Sequence, residues 1–542
     1  MSSPWQLWNN PNNISNPMLS GSPPHLQQLL SSLTATQISF IIVVGIMLLS
    51  LLRPENPAIP GAPVHGRRWR WEPALWLQSR FTFAARDLVK SGYDKYKDRP
   101  FILKRYDVDF NVLPHKYLDE LRLVPETKLS GSRAQFENIG GKWTGTALAA
   151  DSHVHFRAVQ IISNSELPRF ITLAGAELDH AWGSHFSSPK DWQLFDIQLA
   201  LRNLVARMAS PLLLGHPACR DERWLKLSVD YSINVITTAF TIRILPTWAQ
   251  PMIAAILPAR HRVAKNIRLA CQIIQPLIEE HKAVSKRKAA GENVDKEITL
   301  LNWMLDNSTE EENKIDKIAT RLAIQTLASV HTTTTAVSNI IFDLCAHPEW
   351  VPVLREEIKS VTEELGPIGS KPEICPKLWL QRLEKLDSFF VESQRFTPPV
   401  ILGPQRVAME PLTLKDGTYI PKGSRICWAS QNHLNDPLVT SDPEKFDPMR
   451  SYIKRHSSPD EINKHLAGQT SPDNMSFGYG KLACPGRYYA VNQVKLLVTR
   501  LITQYDFKFP DNVKSRPQNL GADEFLFTDP RVKVMLKLRQ DV

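Results

Sequence analysis

One cysteine near the C-terminal end sits in a pattern that could do chemistry. In residues 477–487, FGYGKLACPGR, Cys484 lies in a Phe477-x-x-Gly480-x-x-x-Cys484-Pro485-Gly486 frame. Gly480 and Gly486 can take backbone angles closed to other residues, so the chain can fold tightly around one sulfur. Pro485 stiffens the turn but offers no N–H. The following segment has apolar residues at Ala490, Val494, Leu497 and Leu501, the spacing of a helix face. Cys484 therefore precedes a helix N-terminus, where backbone N–H groups and the helix dipole favour thiolate over thiol. A thiolate on a glycine-flanked loop is what an axial ligand to a haem iron requires. The bland alternative is an inert buried thiol.

Three further groups of residues stand upstream. Thr332–Thr335 lie in the middle of IATRLAIQTLASVHTTTTAVSNIIFDLCAHPEW, a long helical stretch. β-Branched residues are locally unfavourable there, but a threonine hydroxyl can bond back one turn, bend the helix and open a niche for a small ligand. Glu392-x-x-Arg395 spans one helical turn, closed by Pro398-Pro399, and lies 92 residues before the cysteine (484 − 392). Alone it is a common surface pattern. It is followed by Pro443-Glu444-x-Phe446-x-Pro448-x-Arg450. Finally, His153 and Arg157 are spaced to share one face of a helix beginning near Asp151, as ligand contacts or as a solvated face.

In this order the motifs resemble the cytochrome P-450 superfamily over roughly residues 33–535. The resemblance implies a mainly α fold with a small β-rich lobe. It implies haem b, its iron ligated by Cys484 within the loop framed by Phe477, Gly480 and Gly486. Arg406 and His433 match the family's propionate partners, and His153 and Arg157 resemble another such pair. Glu392, Arg395 and Arg450 would form an ion-pair triad behind the loop. Thr332 matches the alcohol of an acid–alcohol pair that passes protons to bound dioxygen. Two positions depart from the family: His331 replaces the acid, and Leu482 stands where a propionate-binding Arg or His is usual. With an ordinary pKa near neutrality, a histidine could relay protons. The His-Thr pair resembles a fungal subset that includes ent-kaurene oxidases and terpenoid-tailoring enzymes. Apolar segments at 399–403 and Glu524–Phe527 resemble substrate-contacting turns.

These residues need a large body to hold them. At 542 residues the chain can bury a substantial core. Residues 66–150 mix short strand-like runs (FILKRY, FNVLP) with loops, residues 165–320 read as largely helical, and 401–437 as β-hairpins. The net charge is +10, yet no zinc pattern, basic heptad helix or aromatic RNA-binding signature accompanies it, so no nucleic-acid partner is expected. A basic face for an anionic membrane or an acidic redox partner fits better. Six cysteines in no close pairs argue against structural zinc or a disulfide framework.

Residues 33–52 are 20 residues without a charge, about 30 Å of helix, enough to cross a bilayer. A cleaved signal peptide is disfavoured by the 32-residue polar lead. Arg53, Arg67, Arg68 and Arg70 follow the apolar run and none precedes it, placing residues 66–542 in the cytosol and residues 1–32 in the lumen. Asn13 then heads a lumenal glycosylation sequon. Residues 53–65, with prolines at 54, 57, 60 and 63, read as a stiff hinge between anchor and body. The expectation is a single-pass endoplasmic-reticulum monooxygenase. By the resemblance it would oxidise a lipophilic small molecule, a terpenoid or meroterpenoid of secondary metabolism, with dioxygen and electrons from an NADPH–cytochrome P-450 reductase. Two rivals are a haem-thiolate isomerase or dehydratase needing no external electrons, and a non-enzymatic haem-binding protein.

Overall fold

The computed structural model describes residues 56–540 apart from 247 and 371–373. The tail, the anchor and Asn13 lie outside the described residues. Among the described residues no helix is long and apolar enough to cross a membrane. The proline-rich stretch, expected as a connector, is partly built into the body. Ile59 is buried, Val64 bridges Ile102, and the Ile102 N–H donates to the Pro63 carbonyl at 2.9 Å.

The body opens with α1 (Ala74–Lys95), β1 (Phe101–Lys104), β2 (Asp109–Val112) and β3 (Leu129–Ser130), then α2 (Gly131–Asn138). A helical half follows: α3 (Val154–Ser165), α4 (Leu167–His185), α5 (Ile197–Leu214), α6 (Glu222–Arg243) and α7 (Pro258–Ala289), with β4 (Gln193–Phe195) between α4 and α5. Next come α8 (Ile315–Ala346), α9 (Trp350–Leu365) and α10 (Glu384–Phe396). The hairpin region is β5 (Arg406–Ala408), β6 (Leu412–Thr413), β7 (Tyr419–Ile420) and β8 (Arg425–Cys427). The chain closes with α11 (Arg487–Gln504), β9 (Tyr505–Lys508), β10 (Leu520–Ala522), β11 (Phe525–Phe527) and β12 (Val534–Leu538). This is the expected mainly α fold with small sheets.

Helix α8 is the axis of the body. It packs against α5, α6, α7, α10 and α11, and residues such as Leu322, Val337, Ile340 and Ile341 are fully buried. At about 1.5–3 kcal/mol per large apolar side chain, that burial outweighs the threonines' poor helix propensity of up to ~0.7 kcal/mol each. The main sheet runs β1-β2-β8-β5-β3, antiparallel except for the parallel β2–β8 pair. The β2–β8 and β3–β5 pairs join strands far apart in sequence, so the lobe is closed by long-range pairing. Charge pairs tie the lobe together and to α6: buried Arg105 to buried Glu524 at 2.6 Å, buried Arg425 to exposed Glu137 at 2.6 Å, and Arg243 of α6 to Asp523. Sequence reading did not find these pairs, because none of their members is spaced as a motif.

Candidate active site

The Cys484 loop is a tight turn closed by its own backbone. The Cys484 N–H donates to the Phe477 carbonyl at 2.8 Å, and Ala483 N–H to Gly480 at 3.2 Å. Gly480 has φ +77°, and a Cβ there would meet the Arg122 carbonyl oxygen at 2.5 Å. Gly478 also has φ +77°, whereas Gly486 has φ −90°, an angle any residue adopts. The unusual backbone angles are thus at 478 and 480, not at 486 as expected. Gly486 is instead the N-cap of α11, the helix expected after the cysteine.

Cys484 is exposed at contact range yet surrounded by protein at longer range, the signature of a group on the floor of a concavity. Burial pushes its thiol up, against the downward pull of the Gly486 N–H and of the Arg487 charge and N–H. The helix N-terminus acts in the expected direction but does not prevail on its own. A coordinated cation would complete the deprotonation. Beside the loop lies Arg406, buried, its Nη2 donating to the Tyr479 carbonyl at 3.0 Å. Burial lowers it to about 10, with Glu126 opposing, and no carboxylate pairs with it among the described residues. A Cβ on Gly131, at the start of α2, would lie 2.9 Å from Arg406 Nη1 and 3.0 Å from Leu482 Cδ1. Leu482 and Arg406 therefore crowd the same point.

The propionate candidates separate. His153 is the N-cap of α3 rather than part of its face, and its Nδ1 lies 3.4 Å from Ser132 Oγ, next to Gly131. It belongs to the Arg406 neighbourhood. Arg157 is exposed and lies over Trp303, 6.0 Å from the ring centre. His433 pairs with Asp473 at 3.0 Å and stacks on His115 at 3.6 Å. Glu126 was missed by sequence reading. Its carboxylate accepts from the Ser130 hydroxyl (2.7 Å) and from the N–H groups of Gly131 and Ser132, shaping the turn beside Arg406.

The three charged residues expected behind the loop do meet. Arg395 donates to Glu392 through Nε (3.0 Å) and Nη2 (2.7 Å), and Arg450 Nε reaches Glu392 Oε1 at 3.4 Å. Arg395 also donates to the Pro443 carbonyl at 2.7 Å, and Arg450 to that of Ser441 at 2.6 Å. The pair spaced i, i+3 on α10 thereby clamps the irregular segment that leads to the cysteine loop.

On α8 the burial is interrupted in one place. Ala328 and Thr332, one turn apart, are exposed while Val330, Thr333, Thr334 and Thr335 are buried. The Thr332 hydroxyl donates to the Ala328 carbonyl at 2.6 Å, the back-bond expected of it. His331 borders a cavity of about 230 Å³ between α5, α6, α8 and β11. Burial, assisted by the Arg202 charge, lowers its pKa to about 4. It is neutral at physiological pH, which corrects the expectation of a near-neutral titrating relay. Phe527, from the expected C-terminal turn, lines the same cavity, its ring 5.5 Å from His331.

A recessed cysteine facing two helix N–H groups, a buried arginine with no paired carboxylate among the described residues, and a gap in a buried helix suit haem and its carboxylates. The comparisons with known proteins point the same way. Residues 136–536 match the sequence profile of the family described as Cytochrome P-450. Cytochrome P-450 monooxygenase ATR4 of Stachybotrys chlorohalonatus is 39% identical over 89% of this chain and 91% of its own length. Cytochrome P-450 monooxygenase sdnB of Sordaria araneosa is 37% identical over 96% of this chain and 97% of its own. An ent-kaurene oxidase of Fusarium fujikuroi is 34% identical over 88% of each. Among solved structures, "Retinoic acid bound cyanobacterial CYP120A1" superposes with a TM-score of 0.59 at 18% identity, over 90% of this chain and 99% of that one, a likeness of fold. The chain thus belongs to the cytochrome P-450 family, and is a monooxygenase whose haem iron takes a cysteine ligand.

Proposed function

We propose that Cys484 is that ligand, and that the chain oxidises a lipophilic terpenoid or meroterpenoid in fungal secondary metabolism, anchored in the endoplasmic-reticulum membrane. The carrying observation is that Cys484 is exposed on the floor of a concavity and precedes α11, which packs on α8. Bound haem would supply oxygen activation at a thiolate-ligated iron. The chain's own residues do the rest. Phe477, Gly480 and Gly486 frame the sulfur. Arg406, with His153 nearby, would neutralise the propionates, while His433 and Arg157 have partners of their own in Asp473, His115 and Trp303. Thr332 presents its hydroxyl to the open side of α8 and hands protons inward; His331, neutral, can pass a proton only by exchanging its two ring nitrogens. Apolar walls contributed by Phe240 and Phe527 select a lipophilic substrate.

The terpenoid class rests on relatives named for it, the ent-kaurene oxidases. Membrane attachment rests on residues 33–52 and on exposed Trp71, Phe83, Met252 and Ile256. Exposed Lys481 beside the cysteine loop suits an acidic reductase. The test is the reduced, carbon-monoxide-bound spectrum of purified protein: thiolate-type in wild type and absent in Cys484→Ala. Nitrogen-type ligation in wild type would overturn the assignment. His331 in the acid's place also favours a second reading, an isomerase or dehydratase without external electrons. Full turnover without NADPH and reductase would establish that instead.

A further inference from the structure

The cavity bordered by His331 has an uneven lining. Val229, Ile233, Ile236, Phe240, Val330 and Phe527 make it apolar, and Ser232 is already committed, its hydroxyl donating to the Ser228 carbonyl at 3.1 Å. Into this wall α5 contributes Arg202. Its neighbour on α5, Arg207, is paired with Glu222, and the buried arginines 105, 243, 395 and 425 each have a carboxylate. Among the described residues Arg202 has none. Arg202 is part-buried, and a guanidinium at the edge of an apolar wall is bound best by an anion that reaches it with two parallel hydrogen bonds.

The cavity limits what that anion is. About 230 Å³ is below the ~300–1,000 Å³ of a whole ligand pocket, so it takes one end of a molecule. A single arginine, with only the Thr237 hydroxyl and the His331 ring beside it as further polar groups of the lining besides Ser232, matches one negative charge; a phosphate dianion would leave its second charge uncompensated against the apolar wall. The neutral His331 ring adds one N–H within the same lining.

We propose that the substrate is a lipophilic carboxylic acid whose carboxylate is held by Arg202 in the cavity between α5, α6 and α8. This rests on the reading of α8 as the helix that faces the substrate. It turns a greasy pocket into one that selects an acid over its ester or parent hydrocarbon, and fixes which end of the substrate enters first.

The experiment uses the haem-loaded full chain and equilibrium dialysis with two pairs of probes: abietic acid and methyl abietate, farnesoic acid and methyl farnesoate. At least one acid is expected to bind about tenfold or more tighter than its ester, the scale of a charge-assisted hydrogen bond. Arg202→Gln removes the preference and Arg202→Lys keeps part of it. Equal affinities, a preference for the esters, no binding of either acid, or an acid preference surviving in Arg202→Gln would each overturn the proposal. Should Arg202→Gln fail to load haem, the wild-type acid–ester ratio decides alone. The monooxygenase reading fails separately, by a nitrogen-type carbon-monoxide spectrum or by turnover without reductase, and neither result touches the dialysis ratio.

Discussion

Thr332 is the one exposed hydroxyl in a row of four threonines, and the exposure follows from helix geometry. Ala328 and Thr332 share a face one turn apart, and that face is open where those of Thr333, Thr334 and Thr335 are packed. Thr332→Ala is expected to keep haem and fold but release more hydrogen peroxide per NADPH consumed; unchanged coupling in a reductase-supported assay would remove Thr332 from the proton route. A pH effect belongs to this scale too. Burial, with Arg321 and His153 adding to it, lowers His155 to about 4, against about 6.5 in the unfolded chain. Between those values the unfolded state binds a proton that the native state refuses. Stability is therefore full above about pH 6.5, falls by up to ~1.4 kcal/mol per pH unit as pH drops, and levels off below about 4. Urea midpoints at pH 7 and pH 5 should differ less in His155→Leu than in wild type, and equal slopes would show that another group is responsible.

At the scale of elements, the cysteine loop and α10 carry the tightest constraints. Gly480→Ala must place a Cβ 2.5 Å from the Arg122 carbonyl oxygen in a left-handed conformation that alone costs about 1–2 kcal/mol. The expected outcome is protein with native helical content by far-UV circular dichroism and little bound haem. Normal haem content would mean that the loop has another shape. Glu392 accepts from two arginines and from the Asp447 N–H at 2.8 Å. Glu392→Ala leaves Arg395 buried without its carboxylate, and about 3–5 kcal/mol of stability should be lost. Chemical denaturation reads this directly; a shift under 1 kcal/mol would show the triad to be dispensable.

At the scale of the whole molecule, the proposed membrane attachment can be divided between the N-terminal residues and the body. Removing residues 1–55 is expected to move most of the protein to the soluble fraction while leaving a thiolate-type carbon-monoxide spectrum. Residual binding to anionic vesicles should persist through Trp71, Phe83, Met252 and Ile256, which are exposed large apolar residues of the body itself. Loss of that residual binding on replacing Trp71 and Phe83 by serine would locate it. Undiminished membrane attachment after removal of residues 1–55 would assign anchoring to the body instead.

What could be read from the chain alone were features written over short spacings. A glycine-framed cysteine, a Glu-x-x-Arg turn and a run of threonines within a long apolar helix each declare themselves within one or two helical turns, because local geometry sets those spacings. The family follows from their order. Tertiary structure decided everything that depends on neighbours distant in sequence. It set His331 neutral by burying it, with the Arg202 charge assisting, it gave His433 to Asp473 and His115, and it drew Arg157 out over Trp303. It also put Arg202 into an apolar wall with no carboxylate paired to it among the described residues. Electrostatic environment and burial are properties of what surrounds a group, and for these residues the surroundings come from helices and strands that only the folded chain brings together.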